Sequence, residues 1–181
     1  VSLFSATGGG PNGLAAGPDG ALYLCNNGGS RYVEGNSMGV APHPDYKHGF
    51  VQRLDRASGK MTDLYIACDG HKLSAPNDLV FDKTGGFYFT DLGKRYARQR
   101  DHGGIYYAKP DGASIKCLVH PFLSPNGCGL SPDGQILYVA DTESARLWAF
   151  DIEGPGMLRK PTGSAHHSGR VGPAVAADRP P

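Results

Sequence analysis

Three asparagines sit in the same local setting: Asn12 after Pro11, Asn77 after Pro76 and Asn126 after Pro125. Each stands just before a short apolar stretch that ends in a glycine-containing turn. An asparagine amide oxygen is a hard, neutral donor of the kind Ca²⁺ takes among its roughly six to eight oxygens, with carboxylates supplying the charge. Asp78 is the one carboxylate directly beside one of the three. A lone Pro-Asn-Gly is ordinarily a turn whose side chain bonds its own backbone. Three copies in register add the alternative that all three amides face one place. Asp91 and Asp141 follow the second strand of their units, where the first unit has Asn27, and either line that place or anchor its loops.

For these side chains to converge, the elements that carry them must repeat, and they do. Stretches 14–17 and 21–26 flank the turn Pro18-Asp19-Gly20, 79–82 and 87–90 flank Thr84-Gly85-Gly86, and 129–131 and 136–140 flank Pro132-Asp133-Gly134. In Pro-Asp-Gly, Pro presets φ, Asp bonds back to its own backbone and Gly accepts positive φ. A second hairpin follows each: 50–55 with 61–67, 104–109 with 114–119, and 146–151 running to a turn near 153–156. Two hairpins form a four-stranded meander, and recurrence at about 40–50 residues marks a β-propeller. The expected fold is all-β, about three blades of a propeller over residues 1–158, with 159–181 an irregular tail lacking an alternating apolar pattern. In a propeller the loops opening the innermost strands converge at one end of the central channel, which is where Asn12, Asn77 and Asn126 then belong.

The first unit is lengthened by an insertion between residues 30 and 49, long enough to lie over the channel as a lid. It holds His43, Asp45, Tyr46 and His48, and the spacing of the two histidines is nonspecific. Arg95 and Tyr96 occupy the matching loop of the second unit, placed to meet a polar substrate. The 181 residues carry a formal net charge of +1, so no basic stripe points to nucleic acid. No apolar run approaches the roughly 18–20 residues a membrane-spanning helix needs. Cys25, Cys68, Cys117 and Cys128 form no Cys-x-x-Cys pair and read as free thiols. Val1 stands where an initiator Met would and leads straight into a strand-like segment, which predicts a start cut from a longer protein. A partial propeller exposes strand edges and apolar faces, which predicts self-association.

The runs from Pro76 to Asp91 and from Ser124 to Thr142 resemble the senescence marker protein, gluconolactonase and luciferin-regenerating enzyme family, over about residues 8–158. The resemblance implies a six-bladed propeller that hydrolyses small-molecule lactones with a divalent metal at the channel top, Ca²⁺ foremost, with Zn²⁺, Mg²⁺ or Mn²⁺ as alternatives. By the same resemblance Asn126 is a metal ligand, Asn77 binds metal or substrate water, Asp78 is the neighbouring acid, and Asn12 lines the channel. Asp91, Asp141 and Arg95 are candidates for lining the substrate pocket. The family's N-terminal ligand glutamate and its later ligand aspartate have no counterpart in the chain, so the chain by itself is expected to be weakly active or inactive. Two rivals stand beside this: a non-enzymatic propeller used as a binding or scaffold module, in which the asparagines are merely turns, and a strictosidine-synthase-like propeller leaning on a catalytic glutamate.

Overall fold

The computed structural model describes residues 1–34 and 39–159, so the expected irregular tail lies, from residue 160 onward, outside the described residues. Among the described residues every regular element is a strand. The first sheet is built from β1 (Pro11–Ala16), β2 (Leu22–Asn26), then, after a two-stranded ribbon of β3 (Ser30–Tyr32) and β4 (Val40–Pro42), from β5 (Phe50–Leu54) and β6 (Met61–Tyr65). A second ribbon, β7 (Ala67–Cys68) with β8 (His71–Lys72), leads to β9 (Pro76–Phe81), β10 (Phe87–Asp91), β11 (Gly103–Ala108) and β12 (Ile115–Phe122). The last sheet is β13 (Pro125–Leu130), β14 (Ile136–Asp141), β15 (Arg146–Gly154) and β16 (Met157–Leu158). Each four-stranded sheet pairs its strands antiparallel in chain order, so three consecutive propeller blades are present. The insertion, expected as a lid loop, carries the β3–β4 ribbon instead of being irregular throughout.

The blades stack through alternation. In β10 all five residues are buried, and successive side chains point to opposite faces. Phe87 and Phe89 join Tyr23, Val51 and Tyr65 in a core between the first and second blades. Tyr88 joins Ile105, Leu137, Val139 and Trp148 in a core between the second and third. Burying each of these aromatics contributes on the order of 2–3 kcal/mol. The middle blade therefore has neighbours on both faces, and its innermost strand β9 lies in contact with both β1 and β13.

Polar contacts fix how the blades meet. Tyr65 OH donates to the carbonyl of Lys109 at 2.7 Å, the Lys83 ammonium to the carbonyl of Asp133 at 2.8 Å, and Gly156 N–H to Tyr88 OH at 3.2 Å. The Thr90 hydroxyl donates to the carbonyl of Asn126 and also accepts the Asp78 N–H, at 3.2 Å. The turns follow the sequence chemistry: Gly20 takes φ +78° and Asp19 Oδ1 accepts the Ala21 N–H at 3.2 Å.

Candidate active site

Every innermost strand begins the same way. Pro11 faces Asn26, Pro76 faces Asp91 and Pro125 faces Asp141, and in each blade the register then slips. The slip is a β-bulge, and it falls on Asn12, Asn77 and Asn126. A bulge leaves a residue out of the ladder and re-aims its side chain. The asparagines thus lie inside strands β1, β9 and β13 rather than in loops before them.

Their surroundings differ. Asn77 is 5% exposed and its amide finds no hydrogen-bond partner among the described residues. It lines a cavity of about 90 Å³ together with Asn12, Asn27, Lys94 and Arg95. Asn12 is exposed at the rim of that cavity. Asn126 does not line it; its Nδ2 donates to Thr142 Oγ1 at 2.9 Å, which leaves Oδ1 uncommitted.

Asp78 is a clamp between blades. Its Oδ1 accepts the Leu79 N–H at 2.9 Å and its Oδ2 the Cys128 N–H of the third blade at 3.0 Å. From the first blade, Gly13 packs so closely that a Cβ there would lie 2.6 Å from Asp78 Oδ1. A carboxylate has about four lone-pair positions, so two remain for a water or an ion.

Asp91 and Asp141 do not line this cavity. Asp91 holds the segment that opens β9, accepting the Ser74, Ala75 and Gly93 amides at 2.7, 2.7 and 2.9 Å. Burial raises its pKa against the pull of those three donors. Asp141 accepts Ser124 Oγ at 2.6 Å, and Ser124 Oγ accepts the Glu143 N–H. Burial acts to raise the Asp141 pKa, but the hydrogen bonds from Ser124 and Ser144 outweigh it and the net shift is downward. The register puts Asn26, not Asn27, in the equivalent place of the first blade, and Asn26 Oδ1 accepts the amides of Gly10 and Gly28. Asn27 instead lines the cavity.

Arg95 does reach the cavity, where it and Arg100 both bind Glu143 Oε2 at 2.7 Å. The two insertion histidines go separate ways, His43 to Asp45 at 3.6 Å and His48 to the Gly49 carbonyl at 3.0 Å.

Lys94 is the residue sequence reasoning missed. It is 6% exposed, its ammonium donates to the Gly29 carbonyl at 2.9 Å and Ser30 Oγ at 3.0 Å, and it lies 4.8 Å from the centre of the Tyr46 ring. Burial lowers its pKa to about 8, against the attraction of Asp91. It lies in a loop whose counterpart in the first blade is lengthened by the insertion and differs in sequence, so the repeat that displays the asparagines does not display it.

For a metal ion, the donor chemistry fits in part. Asn77 and Asn126 offer hard neutral oxygens, and Asp78 has lone pairs to spare. Among the described residues no group of three or more His, Cys, Asp or Glu gathers to supply further charge.

Residues 3–170 match the profile of the SMP-30/gluconolactonase/LRE-like region. The chain belongs to that family. Among relatives, it is 30% identical over 158 residues to a gluconolactonase of Zymomonas mobilis, covering 82% of this chain and 38% of that protein. It is 36% identical over 100 residues to a Staphylococcus haemolyticus protein named lactonase drp35, covering 54% of this chain and 30% of the other. Among solved structures, a Xanthomonas campestris gluconolactonase superposes with a TM-score of 0.61 at 27% identity, covering 83% of this chain and 46% of that one. The chain thus spans less than half the length of these family members.

Proposed function

We propose that this chain supplies part of the active site of a metal-dependent lactone hydrolase of the gluconolactonase type. The observation that carries this reading is Asn77, a largely buried residue at a bulge whose amide has no hydrogen-bond partner among the described residues and which lines a small cavity. An amide that reaches a cavity and has no protein partner keeps its oxygen and nitrogen open to a water, an ion or a substrate atom. Family membership and the similarity to a gluconolactonase support the class of chemistry.

In this reading Asn77 and Asn126 are the amide ligands of a divalent ion, Ca²⁺ foremost because both donors are hard oxygens, with Zn²⁺, Mg²⁺ or Mn²⁺ as alternatives. A bound ion would polarise the lactone carbonyl as a Lewis acid. The chain's own residues do the rest. Thr142 holds the Asn126 amide by its nitrogen and leaves its oxygen uncommitted, and Asp78 fixes Asn77's strand against the third blade while keeping negative charge next to Asn77 in the chain. Lys94 fastens the cavity wall, its ammonium donating to the Gly29 carbonyl, Ser30 Oγ and, at 3.5 Å, Asn27 Oδ1. Two amides and a partly committed carboxylate bind a divalent ion weakly, so the 181 residues alone are expected to be poorly active.

The test is Ca²⁺ calorimetry joined to hydrolysis of glucono-δ-lactone. Weak, Ca²⁺-dependent hydrolysis that falls at least about a hundredfold in Asn77→Ala and in Asn126→Ala is expected, the size typical of removing a group that acts on the reacting centre. Activity independent of metal and of both asparagines would overturn it.

A further inference from the structure

Outside the small cavity lies a larger open cleft of about 980 Å³, walled on one side by the β3–β4 ribbon and on the other by a hairpin over residues 95–100. The hairpin is a defined element: Arg95 bridges Arg100, Tyr96 N–H donates to the Gln99 carbonyl, and Asp101 N–H donates to the Lys94 carbonyl, both at 2.8 Å. The cleft and the cavity share Ala41, Pro42, Arg95 and Arg100, so one opens into the other.

Their combined lining carries Arg31, Lys94, Arg95, Arg98 and Arg100 against Glu34 and Glu143. Five cations face two carboxylates in a chain whose formal net charge is +1, so positive charge is gathered at this mouth. Glu143 is spent on Arg95 and Arg100. Arg31 and Arg98 are exposed, on opposite walls, and neither ion-pairs with a described carboxylate within 4 Å. A concave site lined by one sign of charge focuses its field on the ligand that enters. Guanidinium groups match carboxylate and phosphate oxygens in a bidentate fork.

We propose that this mouth selects an anionic lactone, with Arg31 and Arg98 gripping a carboxylate or phosphate remote from the ring while the ring enters the Asn77 cavity. The inference rests on the lactonase reading for the ring and on the arginines alone for the charge. Concavity and continuity with the inner cavity favour a small sugar acid or sugar phosphate over a polyanion. Neither arginine is needed for folding, since both side chains are exposed.

Calorimetry on the 181-residue chain with glucose, glucuronate and glucose 6-phosphate isolates the anion, because the three share a ring and differ at the far carbon. One or both charged sugars should bind at least about tenfold more tightly than glucose, and Arg31→Ala/Arg98→Ala should erase the difference. The preferred probe tells carboxylate from phosphate. Arg98→Glu should reverse the preference, and Arg98→Lys should keep part of it. Anion-dependent binding with neither Ca²⁺ binding nor lactone hydrolysis, and unchanged in Asn77→Ala, would uphold the anion site and sink the lactonase reading. Hydrolysis of glucono-δ-lactone with no preference for a charged sugar would overturn this inference and leave the lactonase reading in place. Tight binding of heparin with no such preference would also overturn it, in favour of a polyanion surface.

Discussion

The second and third blades open with the same motif, the same bulge and the same proline-to-aspartate register, yet their carboxylates are held in different ways. Asp91 takes three backbone amides, whereas Asp141 takes the Ser124 hydroxyl together with hydrogen bonds from Ser144 and Trp148. The middle blade is covered on both faces, and the third, among the described residues, on one. Repetition sets the backbone path, and the neighbours of each blade set what its polar groups can do. The asparagines tell the same story: Asn77 is buried without a partner, while Asn126 has Thr142.

The comparison breaks first at the aspartates. Asp91→Ala leaves one buried and two part-buried amides without their charged acceptor and should cost about 4 kcal/mol, against about 2 kcal/mol for Asp141→Ala. Urea unfolding of the two variants measures both; equal losses would mean that the mainly side-chain donors around Asp141 hold as strongly as the three backbone amides on Asp91.

A smaller contrast is expected at the asparagines. Asn77→Ala has no hydrogen bond to lose and should unfold within about 0.5 kcal/mol of the parent or above it, while Asn126→Ala should lose about 1 kcal/mol with its Thr142 contact. Thermal melting that ranks them the other way round would remove the case for Asn77 as a residue kept for function at no gain in stability.

The smallest contrast is in titration. Carbon-detected NMR of the carboxyl groups should place Asp91 above the ordinary aspartate value of 3.8 and Asp141 below it. The signs for stability are then opposite. The folded form holds the Asp91 proton more firmly than the unfolded chain does, so that contribution is lost as pH rises from 3.8 through the folded value. The contribution of Asp141 is present above 3.8 and lost as pH falls through its lower folded value. Shifts in one direction for both would show that burial, not the mode of capture, governs them.

Much of the architecture was legible because turns and strands each have local chemistry. Pro18-Asp19-Gly20 and Pro132-Asp133-Gly134 name their turns, and Phe87, Tyr88 and Phe89 form an unbroken aromatic run because both faces of the middle blade are covered. The three asparagines were legible as a set because the repeat displays them side by side. The bulge that aims them was not, since a slip of register depends on which partner residue is opposite. Asn26 was mistaken by one position for the same reason. Arg95 was legible from its loop, but Lys94, Arg98 and Arg100 lay beyond reach, because their meaning comes from the ribbon across the cleft and not from their own neighbours in the chain.

One consequence concerns the order in which parts of the chain open. β10 is bonded along both edges and covered on both faces, so its amides are freed only when two interfaces come apart together. Lys94 lies just past its end, and beyond Lys94 the exposed hairpin is closed by a few backbone bonds. On the proposed reading, a ligand held by the arginines could reshape the hairpin while the asparagine-bearing strands stay shut, so that capture and chemistry would sit on segments that breathe at separate rates.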